Sequence, residues 1–156
     1  MTDREYERKL LSYIKEKKII AEQLIFNESC HSVEEAARAV KASADDFVKS
    51  ICLINNEQKL IVAVVKGESR VDLKKVSKEL NIDKIRTAKP DEMLLITGYP
   101  CGGTTPFGYE AQFLIDKKVL EKDVVYAGGG SEKSLIKISV KELLEANNGK
   151  VCDISK

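Results

Sequence analysis

A chain of 156 residues is expected to form one ordinary domain with a sizeable core, and no second domain is needed to account for it. Its 26 basic and 25 acidic side chains leave a net charge of +1, which excludes a protein that coats nucleic acid by charge alone, so any RNA contact must be local. Four scattered cysteines and a single histidine are a poor set for zinc; no metal or other cofactor is expected.

The amino-terminal stretch MTDREYERKLLSYIKEKK is charged throughout, and no apolar run approaches the length of a membrane span, so the expectation is a cytoplasmic protein without a membrane partner. Thr2-x-x-Glu5 has capping-box form, and Tyr6, Leu10, Leu11 and Ile14 follow at helical spacing, predicting an amphipathic first helix. Ile19 to Phe26 alternates partly and reads as an edge strand. Ser32-x-x-Glu35 caps a second helix with Val33, Ala36, Ala37 and Val40 on one face, and a short helical turn starts at Ser43 with Asp46 as its partner.

Val48 to Ile54 and Lys59 to Val65 are branched-aliphatic runs around Asn55-Asn56-Glu57-Gln58, a hairpin pattern. Asp72 caps a helix with Leu73, Val76 and Leu80 inward, Ile82 to Thr87 reads as a short strand, and Pro90 with Asp91 and Glu92 opens a helix closed by Gly98. Ala111 to Ile115, Val124 to Ala127 and Leu135 to Ile138 read as strands, Ser139-x-x-Glu142 caps a last helix, and Val151 to Ile154 ends the chain as a strand. Strands outnumber simple βαβ alternation, so the predicted fold class is α+β, one domain with a mixed, curved sheet flanked by helices.

Two stretches carry candidate chemistry. Gly98 to Tyr109 concentrates glycine and proline, and Gly102-Gly103-Thr104-Thr105-Pro106 combines exposed backbone donors with a rigid frame, which suits an oxyanion or a phosphate and equally describes a tight helix-to-strand connection. Gly128-Gly129-Gly130-Ser131 reads either as the opposite wall of a site or as a hairpin turn. Lys49 shares a strand face with Ile51 and Leu53; a lysine there either snorkels to water or serves a site. His31 precedes a helix cap and lacks a paired nucleophile, and Cys101 lacks a base to activate it, so neither is expected to be catalytic. Residues 66 to 86 hold seven cations against four acids, a solvated face or a phosphate-contact stripe.

Three ordered segments, SVEEAARAV with DDFVKSICLI, KGESRVDLKKVSKEL leading into KPDEMLLITGYPCGGTTPFGY, and AGGGSEKSLIKIS, resemble the YbaK-type aminoacyl-tRNA deacylases, relatives of the editing domain inserted in bacterial prolyl-tRNA synthetase. The match leaves residues 1–30 the least family-like part of a single domain over 1–156. The resemblance implies a partly closed mixed sheet and metal-independent hydrolysis of mischarged aminoacyl-tRNA, with Cys-tRNA(Pro) or Ala-tRNA(Pro) as the ester. Its expected partners are the tRNA acceptor end and prolyl-tRNA synthetase. It puts Lys49 on the family's active-site lysine and Gly102 and Gly103 in the family's Gly-x-x-x-Pro loop, with Ile51, Leu53, Thr104, Thr105, Pro106, Gly128, Gly129, Gly130 and Ser131 around the substrate. Some members carry an acidic residue after the second loop, where this chain has Ile136. The alternative function is a binding module for aminoacyl-tRNA or nucleotide ends that performs no chemistry. Oligomeric state has no sequence signal.

Overall fold

The computed structural model describes residues 1–30 and 32–156. In chain order these form α1 (Asp3–Glu16), β1 (Ala21–Ile25), α2 (Val33–Val40), β2 (Val48–Asn55), β3 (Leu60–Lys66), α3 (Leu73–Leu80), β4 (Ile85–Thr87), α4 (Pro90–Thr97), β5 (Gln112–Asp116), β6 (Val124–Gly128), β7 (Ser134–Ser139), α5 (Val140–Asn147) and β8 (Lys150–Cys152). Short 3₁₀ helices lie at Ala44–Asp46 and Lys117–Glu121. No described helix is long and apolar enough to cross a membrane.

The helices start where local side chains can satisfy their first amides. Thr2, Ser32, Asp72 and Ser139 each accept a hydrogen bond from a backbone N–H two or three residues on, at 3.0–3.2 Å for the shortest of each. At α4, Pro90 occupies the first turn, and Glu92 accepts from the Lys89 N–H at 2.9 Å while pairing bidentately with Arg86 at 2.7 and 2.8 Å. That pairing pulls the Glu92 carboxyl down to about 2.

β3 is the centre of the molecule. Every residue from Leu60 to Val65 is buried, the pattern of a strand covered on both faces. Leu60, Val62 and Val64 join the larger core beneath α1 and α5, whereas Ile61, Ala63 and Val65 join a smaller one formed with Val76 of α3, Leu114 and Ile154. β3 pairs antiparallel with β2 and parallel with β5, and β5 runs parallel with β8, giving the five-stranded order β4-β2-β3-β5-β8.

The expected α+β class is observed, with the sheet divided in two and not closed. β1, β7 and β6 make a separate antiparallel three-stranded sheet, with β1 at its edge. The two sheets meet at a bridge between Phe47 and Tyr126, whose rings stack with centroids 5.1 Å apart. The last strand begins and ends earlier than its apolar pattern suggests. The Ile154 and Ser155 amides leave the ladder for the buried Asp116 carboxylate, at 3.0 and 3.2 Å, and Ser155 Oγ adds a third donor at 2.9 Å.

Asp116→Ala strands three donors at a fully buried position and is expected to cost about 3 kcal/mol or more. Asp116→Asn, which keeps an acceptor oxygen, should cost less. Urea unfolding of the two variants checks this order.

Candidate active site

β2 is eight residues long, but β4 pairs with it only from Leu53 to Asn55, and the bridge to β6 is made at Phe47, just before β2 begins. Among the described residues, the edge from Val48 to Ile51 therefore has no paired strand. A cavity of about 360 Å³ opens in this gap, at the small end of the usual range for ligand sites. Because it lies along an edge, side chains from both faces of β2 reach it: Lys49 and Ile51 from one, Val48, Ser50 and Cys52 from the other. Val33 and Ala36 of α2, Pro90 and Met93 of α4, and Cys101, Gly102 and Thr104 enclose it further, with Gly128 at the end of β6.

The Lys49 ammonium makes no hydrogen bond or ion pair with any described residue. Burial, with the positive charge of Arg70 added, lowers its pKa from that of an ordinary lysine. At the glycine-rich loop, the N–H groups of the cavity-lining residues Cys101, Gly102 and Thr104 are also unpaired among the described residues. Gly102 has φ +89°, which glycine adopts freely. Ser50 adds a buried hydroxyl without a partner. Cys30, Cys52, Cys101 and Met93 line the same space, and burial pushes the Cys52 thiol up to about 12, so that thiol is neutral and unreactive at physiological pH.

The structure separates the site residues expected from sequence into two groups. Lys49, Ile51, Gly102, Thr104 and Gly128 line the cavity. The others lie behind its wall. Leu53 is fully buried in the core beside α3, because β4 covers the edge at that position. Thr105 is also fully buried, with its hydroxyl donating to the Phe107 carbonyl, and the Pro106 carbonyl accepts from Asn147 Nδ2 at 3.0 Å. The Gly103 N–H donates to Pro100 O at 3.0 Å, so it is not free to receive an oxyanion. Gly129 N–H donates to Ser134 O, Gly130 N–H to Gly103 O at 2.9 Å, and Ser131 Oγ bonds to Glu7 and Ser134.

These glycines serve the approach of two backbone segments. A Cβ on Gly103 would lie 2.6 Å from the Ser131 N and Cα atoms, and one on Gly128 would collide with Thr104 O. The two loops are pressed together, and their shared outer rim, Cys101, Gly102, Thr104 and Gly128, faces the cavity.

His31 falls outside the described residues. In the basic stretch 66–86, Lys66 pairs with Asp45 and Glu121, Lys75 with Asp153, and Arg86 with Glu92, leaving Arg70, Lys74, Lys78 and Lys84 without an ion pair among the described residues. Sequence reasoning missed Ser50, Cys52, Met93 and the α2 residues. The readable signal was the mismatch between a long β2 and a short β4 pattern ended by Pro90, which leaves part of an edge open.

The model of the aminoacyl-tRNA editing domain matches residues 27–146. This chain belongs to that family. It is 30% identical over 128 residues to the uncharacterised YwhH of Bacillus subtilis strain 168, covering 81% of each chain. Identity is 23% over 135 residues with the Enterococcus faecalis protein named "Putative Cys-tRNA(Pro)/Cys-tRNA(Cys) deacylase EbsC", covering 85% of this chain and 82% of that one. Among solved structures, one described as "a putative trans-editing enzyme for prolyl tRNA synthetase" superposes with a TM-score of 0.90 at 26% identity over 97% of both chains. The editing-domain segment includes the whole cavity lining and both glycine-rich loops, while α1 and β1 lie before it.

Gly128→Ala is expected to destabilise by about 1–3 kcal/mol, since its methyl must displace the Thr104 backbone rather than a flexible side chain. Gly102→Ala, at a position on the cavity rim, should cost less, chiefly the strain of its positive φ. Thermal melting of both variants tests the contrast.

Proposed function

We propose that this protein is a trans-editing hydrolase that deacylates mischarged aminoacyl-tRNA, with Cys-tRNA(Pro) the preferred ester and Ala-tRNA(Pro) the next. The supporting observation is the juxtaposition, in one small and largely apolar cavity, of an unpaired lysine and unpaired loop amides, among them those of Gly102 and Thr104. The names carried by EbsC and by the trans-editing neighbour agree with this reading.

The aminoacyl group enters the gap along β2, and the Lys49 ammonium holds the ribose or phosphate end of the terminal adenosine as a point charge. The carbonyl oxygen points at the Gly102 and Thr104 amides, which bind the oxyanion as the carbonyl carbon becomes tetrahedral; one such donor contributes about 10²–10³ in rate. With a cysteinyl ester, the substrate thiol attacks its own carbonyl carbon. The C–O bond to the ribose breaks, the ribose oxygen leaves with the thiol proton, and a thiolactone is released. With alanine, water attacks and the free amino acid is released.

The cavity's thiols and thioether form a polarisable, weakly polar wall suited to a small thiol or methyl side chain. Such a second hydrolytic sieve answers a limit of first-pass selection, since one methylene supplies only about 1–3 kcal/mol of discrimination. The tRNA acceptor end is the direct partner, and prolyl-tRNA synthetase is the proposed source of the mischarged substrate.

The decisive experiment measures release from Cys-, Ala-, Ser- and Pro-charged tRNA(Pro). Cysteine should leave fastest, recovered as thiolactone, and the isosteric serine ester should be slow. Binding of all four without turnover would instead identify a sequestering module.

Lys49→Ala should lower kcat/KM by about 10²-fold with little change in Tm, because the side chain positions substrate and supports no packing. Lys49 also sets a pH limit. Its lowered pKa means that the ammonium is complete at low pH and is lost as pH rises through a value below the ordinary 10.5. After subtraction of spontaneous ester hydrolysis, activity should fall along that alkaline limb, and the limb should vanish in Lys49→Arg.

A further inference from the structure

α1 precedes the segment matched by the editing-domain family, yet its side chains contact both cavity loops. Lys9 Nζ donates to Gly98 O at 3.1 Å and sits 4.6 Å from the centroid of the Tyr99 ring. Tyr6 and Tyr13 pack against Tyr99 and Phe107, with centroids 6.5 and 6.0 Å apart. These contacts grip the two ends of the glycine-rich loop.

The second loop is held by polar groups. Glu7 is only 3% exposed, and its Oε2 accepts a hydrogen bond from Ser131 Oγ at 3.3 Å. The Glu7 backbone oxygen accepts from Gln23 Nε2 at 2.9 Å, and the same amide group donates to Gly129 O at 3.0 Å. Between them lies Gly130, with φ +107°, so close to the helix that a Cβ would come within 3.0 Å of Tyr6 O. Gly130 N–H then bonds to Gly103 O, and the trans peptide plane of that carbonyl carries the Thr104 N–H on its opposite side.

Docking α1 does not require this network, since Leu10 and Ile14 already bury an apolar stripe. A buried carboxylate is a costly way to attach a helix, and Glu7 Oε1 has no hydrogen-bond partner among the described residues. Its other oxygen has a specific task, holding the serine that follows the three glycines.

We propose that Glu7 and Gln23 are positioning residues for the reaction, fixing Gly129 and Ser131 so that Gly130 clamps the Gly103 carbonyl and, through the shared peptide plane, aims the Thr104 amide into the cavity. The inference rests on the deacylase reading above for its effect on rate, and on the hydrogen-bond chain alone for its effect on the loops. It assigns a role in oxyanion binding to an element outside the family-matched segment.

The test compares Glu7→Ala, Glu7→Gln and Gln23→Ala with Leu10→Ala, a control that loosens α1 without touching the network. In the folded fraction of each variant, Glu7→Ala and Gln23→Ala should lower kcat for Cys-tRNA(Pro) by about 10- to 100-fold while KM stays within about twofold. Glu7→Gln, whose amide oxygen can still accept from Ser131, should recover most of that loss. Leu10→Ala should lower Tm and leave kcat of the folded protein unchanged. Hydrogen exchange at the Gly130 amide should accelerate in Glu7→Ala and Gln23→Ala, with or without substrate.

Unchanged kcat in both network variants overturns the proposal, as does a loss in Leu10→Ala equal to theirs or unchanged Gly130 exchange. Absence of turnover in the wild-type protein, with the Gly130 exchange change intact, overturns the deacylase reading and leaves the loop coupling standing.

Discussion

The contact on which the site depends is backbone against backbone: the Gly130 N–H on the Gly103 carbonyl, at a separation only residues without side chains permit. A single amide hydrogen bond contributes about 1 kcal/mol, too little to define a loop conformation by itself. The definition comes from what surrounds it, since Gly103 and Gly128 exclude any Cβ at the junction and α1 closes over Gly130 from behind. The rim amide of Thr104, in the same peptide plane as the Gly103 carbonyl, is therefore oriented by contacts within the protein, as the proposed oxyanion role would require.

The cavity arises from a mismatch in strand lengths. β2 spans eight residues, β4 three, and β6 belongs to a different sheet. A fully paired β2 would have its edge amides and carbonyls covered, and a fully exposed one would be flooded by solvent. The gap between the Phe47 bridge and Leu53 is the intermediate case, roofed by α2 and α4. It also explains the depressed pKa of Lys49, whose ammonium is half-buried beside Arg70 with no carboxylate opposite.

Much of the local structure was legible because it is encoded by neighbours in sequence. The caps at Thr2, Ser32, Asp72 and Ser139 and the hairpin around Asn55 to Gln58 are interactions within a few residues, and the structure contains each of them. The division into two sheets was not legible, since pairing β3 with β5 joins residues some fifty positions apart and periodicity says nothing of partners. Nor was the fate of the glycines. Gly103 and Gly129 read as ligand-facing because bare amides invite a ligand, but another part of the chain uses the same bareness. Nothing near Glu7 in the sequence marks it as buried, and only the placement of Ser131, more than a hundred residues later, gives it a buried partner. Period-two logic also misled at Leu53: it assigns a face correctly, yet whether that face meets a cavity depends on where the neighbouring strand ends.

The open edge of β2 has a further consequence, for how the protein behaves in a crowded solution. Unpaired strand edges are templates on which a foreign strand can grow, and short edges bearing an inward-reaching lysine are among the devices that prevent it. Here the uncovered length is only Val48 to Ile51, and Lys49 stands within it. A foreign strand pairing there would have to cover the Lys49 ammonium, which has no ion-pair partner among the described residues, so the group that gives the cavity its charge also makes this short edge a poor template for a second copy of the chain.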